Sequence, residues 1–130
     1  MLHTALQNND TPTHQGWLIK KGNIRTNWKR RWFHLRNNEM LMSKDLKSKP
    51  FKSILIEEMQ EVVEGLPEAD GSPFVKKSKD QYQHFFYIIT EKRTWYFQAE
   101  SEKDMREWLS YLRKAKVYWS LFFTMDEASK

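Results

Sequence analysis

Lys20, Lys29 and Arg31 belong to a stretch, GWLIKKGNIRTNWKRRWFHL (Gly16 to Leu35), that reads as a β-hairpin with an unusual inner face. Side chains alternate along a strand, so Leu18 and Lys20 share one side of the first arm. Lys29, Arg31, Phe33 and Leu35 share one side of the second. Both arms are apolar far from the turn and cationic near it. If Lys20 lies across from Lys29, the same register sets Leu18 across from Arg31, and one face collects three cations. Like charges facing each other across a sheet are unfavourable by themselves. The arrangement is satisfied by a multivalent anion held between them.

Lys52 repeats the pattern. In FKSILIEE (Phe51 to Glu58), Lys52, Ile54 and Ile56 fall on one face, a cation at one end and apolar residues deeper in. Charge-assisted hydrogen bonds from such groups to phosphate oxygens are worth roughly 1.5–3 kcal/mol each when well placed. Three or four of them suffice for a micromolar or tighter site. Lys21, Arg30, Lys44, Lys47 and Lys49 read instead as sources of general attraction, on the order of 1 kcal/mol each near an anionic surface.

Other chemistries find little support. His3, His14, His34 and His84 show no metal-ligand spacing. There is no cysteine, hence no disulfide, thiolate site or Cys nucleophile. No serine sits in a nucleophile motif and no glycine-rich phosphate loop occurs, with only four glycines in the chain. Glu57 and Glu58 are adjacent, so on a strand they point apart rather than working as a pair. The expectation is a binding module and not an enzyme, with neither cofactor nor metal.

The net charge of +5 is modest, but its placement is not. From Lys20 to Lys52 eleven Lys or Arg stand against Glu39 and Asp45; from Glu57 to Asp70 there are six acids and no Lys or Arg. A chain so polarised is steered toward a polyanion, a membrane face or a nucleic acid. No apolar run approaches the roughly 20 residues of a membrane span, and MLHTALQNND lacks the features of a signal peptide. A cytoplasmic protein recruited to the membrane surface is the expectation.

The elements that must position these cations follow from the same periodicities. Residues 1–14 read as a loose tail. After the hairpin, Asn37-Asn38 marks a turn. Strands are expected over Glu39 to Lys44, Phe51 to Glu58, Gln60 to Glu64, His84 to Thr90 and Thr94 to Ala99, with a long loop over Gly65 to Gln81. From Ser101 the period changes: Met105, Trp108, Leu109 and Leu112 form one helix face, with Ser101 as its N-cap. Arg113, Lys114 and Lys116 suit the helix's negative end. Six Trp, eight Phe and five Tyr supply the core. Seven strands followed by one helix, without alternation, indicate an antiparallel sheet curled into a sandwich or barrel and capped by the helix. Residues 117–130 (VYWSLFFTMDEASK) form an apolar extension, either more helix or a segment lying against a partner.

This order, the opening Gly16-Trp17-Leu18, the Trp28 to Leu35 run and the helix Trp108 resemble a pleckstrin homology (PH) domain over residues 15–116. The resemblance implies that Trp108 plugs one end of the barrel. It also implies a phosphoinositide site at the other end. The family's basic motif maps onto Lys20, Lys29 and Arg31, with Lys52 at the start of strand four in the same pocket. Arg25, in the first loop, is placed to close over a phosphate, and Ile24 at the loop tip either dips into the headgroup layer or folds back on the barrel. A basic residue at the Lys52 position resembles binders of 3-phosphorylated lipids, which implies phosphatidylinositol 3,4,5-trisphosphate or the 3,4-bisphosphate as the favoured ligand. Two departures touch isomer choice. Met42 stands where tight binders commonly carry a Tyr, and the turn between strands six and seven is short, with Lys92 and Arg93 its only donors.

The implied role is a signal-transduction module, monomeric, recruited peripherally to the plasma membrane. The alternative is a PH domain that docks another protein through 57–81 or 117–130 and binds lipid weakly and without specificity. A nucleic-acid platform is the poorer fit, because core packing accounts for most of the aromatic residues that base stacking would require.

Overall fold

The computed structural model describes residues 11–23, 27–67 and 83–128, with side chains through Phe122. Seven strands, β1 (His14–Lys21), β2 (Trp28–Arg36), β3 (Glu39–Ser43), β4 (Lys52–Leu55), β5 (Met59–Glu64), β6 (Phe85–Thr90) and β7 (Thr94–Gln98), precede one helix, α1 (Glu102–Ala128). The strands make a single antiparallel sheet in the order β4-β3-β2-β1-β7-β6-β5. Residues from its two ends, Met40 and Ile54 on one side, Val62 and Ile88 on the other, join one buried cluster. The sheet is therefore bent over on itself, and its concave face is the core.

The alternation read from the sequence sorts the side chains. Leu18, Phe33, Leu35, Met42 and Phe97 are all buried inside. Asn37 and Asn38 both take positive φ (48° and 66°), the tight turn that matches strand twist in a two-residue hairpin loop. Strand four is shorter than expected. It ends at Leu55, and Ile56–Glu58 wind into a 3-10 turn whose first N–H donates to the Asn38 carbonyl at 2.9 Å. The turn keeps Ile56 buried while carrying the chain round the corner, so that Met59, three residues on, is buried too.

Ser101 caps the helix as its type suggests: its hydroxyl accepts from the Asp104 N–H at 3.1 Å. Met105, Trp108, Leu109, Leu112 and Ala115 then pack on the open side of the barrel, Trp108 with no exposed surface. The helix does not stop at residue 116. It runs on to Ala128, and Trp119 and Phe122 continue the same buried face. Arg113 and Lys116 thus lie mid-helix and serve another purpose. They donate to the carbonyls of Val62 and Gln60 on edge strand β5, at 3.3 and 2.6 Å, covering polar groups that an edge strand leaves open. Arg106 grips Glu64 of the same strand.

His14, expected in the loose tail, opens β1 instead. Its ring is wedged edge-on against Trp108 (4.6 Å) and stacked on Tyr111 (4.8 Å). Tyr111 thereby backs the His14 ring that lies against Trp108. Replacing Trp108 by Ala is expected to cost about 3–5 kcal/mol of stability. Urea unfolding reads this as a lower midpoint with unchanged slope.

Candidate anion-binding site

Three strands bring the cations together. In the β1–β2 ladder Lys20 pairs with Lys29 and Leu18 with Arg31, the register expected from alternation. Lys52 enters from β4, opposite Met42, which is itself opposite Phe33. Gly22 donates to the Asn27 carbonyl at 3.0 Å, closing the base of the loop between β1 and β2. Beside this loop lies a cleft of about 250 Å³ lined by Lys20, Gly22, Asn27, Lys29, Arg31 and Phe51; Lys52 is not among its lining residues.

Under this cluster lies a residue that the reading of the sequence missed. Trp95 of β7 is buried, and its indole receives three cations: the Arg93 guanidinium carbon 3.7 Å from the ring centroid, Lys52 Nζ at 5.1 Å and Lys20 Nζ at 5.7 Å. The negative face of an aromatic ring attracts a cation, most strongly where water is partly excluded. Trp95 is thus an apolar floor that holds charges which repel one another. Alternation along Thr94 to Gln98 places Trp95 and Phe97 inward. The missing information was that β7 borders β1.

Arg93 joins the cluster through its turn. Thr90 N–H and Oγ1 both donate to the Arg93 carbonyl, at 2.9 and 2.7 Å, and Arg93 N–H donates back to Oγ1 at 3.2 Å. The side chain is fixed facing inward, and burial pushes its guanidinium below the ordinary arginine value. Its Nε is buried without a hydrogen-bond partner among the described residues. Burial, followed by the charges of Arg93, Lys52, Arg31 and Lys29, pushes the Lys20 ammonium below the usual lysine range. Those four neighbours locate Lys20 at the centre of one positive field. Among the described residues none of the five cations forms an ion pair with an acid. Arg31 spends one N–H on the Arg30 carbonyl at 2.9 Å.

Other sequence-based assignments separate. Arg30 faces the opposite side, over the Trp17 ring at 4.1 Å and paired with Glu100 at 2.7 Å, so an acid offsets its charge there. Trp17 and Trp32 pack edge to face on that outer side. Met42 is buried in the core. Arg25, Ile24 and most of the Gly65 to Gln81 loop lie outside the described residues. Among the described residues no group of three or more His, Asp or Glu is placed to hold a metal, and no helix is long and apolar enough to cross a membrane.

Known proteins share this architecture. A family model described as PH domain matches residues 12–117. A PH domain-containing protein of Dictyostelium discoideum is 32% identical over 103 residues, 77% of this chain and 20% of that protein. The chain spans between 12% and 22% of the first curated relatives it matches. The PH domain of human pleckstrin homology domain-containing protein family A member 5 superposes with a TM-score of 0.65 at 24% identity, covering 85% of this chain and 81% of that one. The C-terminal PH domain of pleckstrin, solved in complex with D-myo-Ins(1,2,3,5,6)P5, gives 0.60 at 25% identity over 79% of this chain and 93% of that one.

The depressed Lys20 gives a direct test. Lys20 protonates less readily in the folded chain, so it costs stability at neutral pH. That cost fades as pH rises from the folded value through the ordinary lysine value. In side-chain heteronuclear NMR, Lys20 should titrate below the ordinary lysine value and move up on adding inositol hexakisphosphate. Lys20→Met should raise the thermal midpoint at low salt while weakening that binding.

Proposed function

The chain belongs to the PH domain family, and on that footing we propose that it is a membrane-targeting module whose cleft receives a phosphoinositide headgroup. Lys20, Lys29, Arg31 and Lys52 hold ring phosphates, Arg93 adds a fifth cation through the Trp95 floor, and Arg25 closes from the first loop. The carrying observation is the convergence of Lys20, Arg31, Lys29, Lys52 and Arg93 in one field with no acid paired to any of them among the described residues. Five such groups are costly to gather in the absence of an anion and productive with one. The crystal structure of the pleckstrin domain with D-myo-Ins(1,2,3,5,6)P5 supplies a relative of this fold that takes an inositol phosphate.

Within this reading 3-phosphorylated lipids are favoured. What supports this preference is Lys52, brought by β4 to the same Trp95 ring that Lys20 approaches, beside the cleft that Lys20, Lys29 and Arg31 line. Recruitment to the plasma membrane, as a monomer in a signalling context, follows from that preference. A protein-docking role draws on a different feature, the exposed Val117 and Leu121 of α1. The two readings part in a flotation screen against each phosphoinositide isomer at two salt concentrations. A steep isomer preference that survives salt supports the cleft, whereas equal, salt-erased binding supports surface attraction alone.

Arg31→Ala should weaken binding to phosphoinositide vesicles at least about tenfold, the loss of one charge-assisted contact, without unfolding the domain. Unchanged vesicle binding by a folded variant would remove Arg31 from the site.

A further inference from the structure

The loop between β3 and β4 offers a pattern that headgroup binding does not use. Leu46 and Phe51 are 62% and 57% exposed, an expensive presentation of large apolar side chains to water. Leu46 is not exposed for want of order. Oδ1 of Asp45 accepts from the Lys47 N–H at 2.9 Å, the Ser48 N–H at 2.8 Å and the Ser48 hydroxyl at 2.8 Å. This side-chain turn orders the backbone on either side of Leu46, which lies between Lys44 and Lys47 in sequence. At the far end, the Phe51 N–H donates to the Met42 carbonyl at 2.9 Å, and Phe51 lines the basic cleft.

Charge decides what such a loop fits. Residues 44–52 carry Lys44, Lys47, Lys49 and Lys52, all exposed, against Asp45 alone. The Asp45 carboxylate is turned onto its own loop, and those hydrogen bonds hold it below the usual carboxylate range. What faces outward is therefore two apolar side chains set among ammonium groups, continuous with the cation cluster. Apolar side chains flanked by lysines match the boundary between acyl chains and anionic headgroups.

We propose that the β3–β4 loop is a membrane wedge: Leu46 and Phe51 enter the interface of an anionic bilayer while Lys44, Lys47 and Lys49 stay at phosphate level. The wedge rests on the reading that the cleft faces a bilayer, and it deepens that reading by assigning a second, isomer-independent contact. Because the Asp45 turn is already formed, little ordering is required on contact.

The chain has no cysteine, so Leu46→Cys carries a single polarity-sensitive dye, with Ser110→Cys on the exposed side of α1 as control. The lipid probe is phosphatidylcholine–phosphatidylserine vesicles with a 3-phosphorylated phosphoinositide. The dye at position 46 should shift to the blue and be quenched by interface-located spin-labelled lipid, while that at 110 stays unchanged. Leu46→Ser should lower vesicle affinity about tenfold, the burial of one large apolar side chain, yet bind soluble inositol hexakisphosphate like wild type. A silent dye at 46, or equal vesicle affinity for Leu46→Ser in a chain that binds the soluble anion, overturns the wedge and leaves the cleft standing. Insertion at position 46 in a chain that ignores the soluble anion supports the wedge and overturns the cleft.

Discussion

The register of β1 on β2 is the constraint from which the rest of this structure proceeds. Side chains on a strand repeat every two residues, so pairing Lys20 with Lys29 also pairs Leu18 with Arg31 and Gly16 with Phe33. One choice of register therefore commits Leu18, Phe33 and Leu35 to the core and the three cations to the mouth of the same concave face. A slip of one residue on either arm would turn that arm's cations outward and leave its core residues in water. The burial of three large apolar side chains at the closed end thus enforces an arrangement that is electrostatically unfavourable at the open end.

That unfavourable end is made tolerable by Trp95. Arg93, Lys52 and Lys20 all sit within about 6 Å of its ring centre, the range over which an aromatic face attracts a cation. Burial, and after it the neighbouring cations, still push the Lys20 ammonium below the usual lysine range. Elsewhere the chain treats its charges differently. Arg30, Arg106 and Lys116 are each committed to an acid or a carbonyl. These surface and helix cations have partners, whereas among the described residues no acid pairs with the five cations at the mouth.

The helix completes the barrel by two separate means. Its apolar face, from Met105 through Trp108 to Phe122, fills the open side, and the His14 ring, stacked on Tyr111, lies edge-on against the Trp108 indole. Its cations reach across to edge strand β5 and cover the carbonyls of Gln60 and Val62. The length of the helix, carried beyond residue 116 to Ala128, is what brings Lys116 and Trp119 into an interior turn rather than a fraying end. The helix pairs with edge strand β5 and contributes none of the residues that line the basic cleft.

What the sequence determined by itself is whatever depends on backbone geometry over a few residues. Alternation assigned Leu18, Lys20, Lys29, Arg31, Phe33 and Lys52 to one face, Asn37-Asn38 marked its turn, and Ser101 its helix cap, because each of these follows from local dihedral preference and spacing. The composition of the chain, with its basic third and abundant aromatic residues, likewise pointed to a polyanion and a self-sufficient core. What only the tertiary structure decided depends on strands distant in sequence meeting in space. That β7 runs beside β1 made Trp95 the floor of the cluster and Arg93 its fifth member; that β2 passes near Glu100 gave Arg30 an acid partner on the outer face. The Lys20 ammonium responds to the summed field of three elements and to burial. No local pattern encodes such a sum, because Coulombic interaction and desolvation depend on distance through space rather than along the chain.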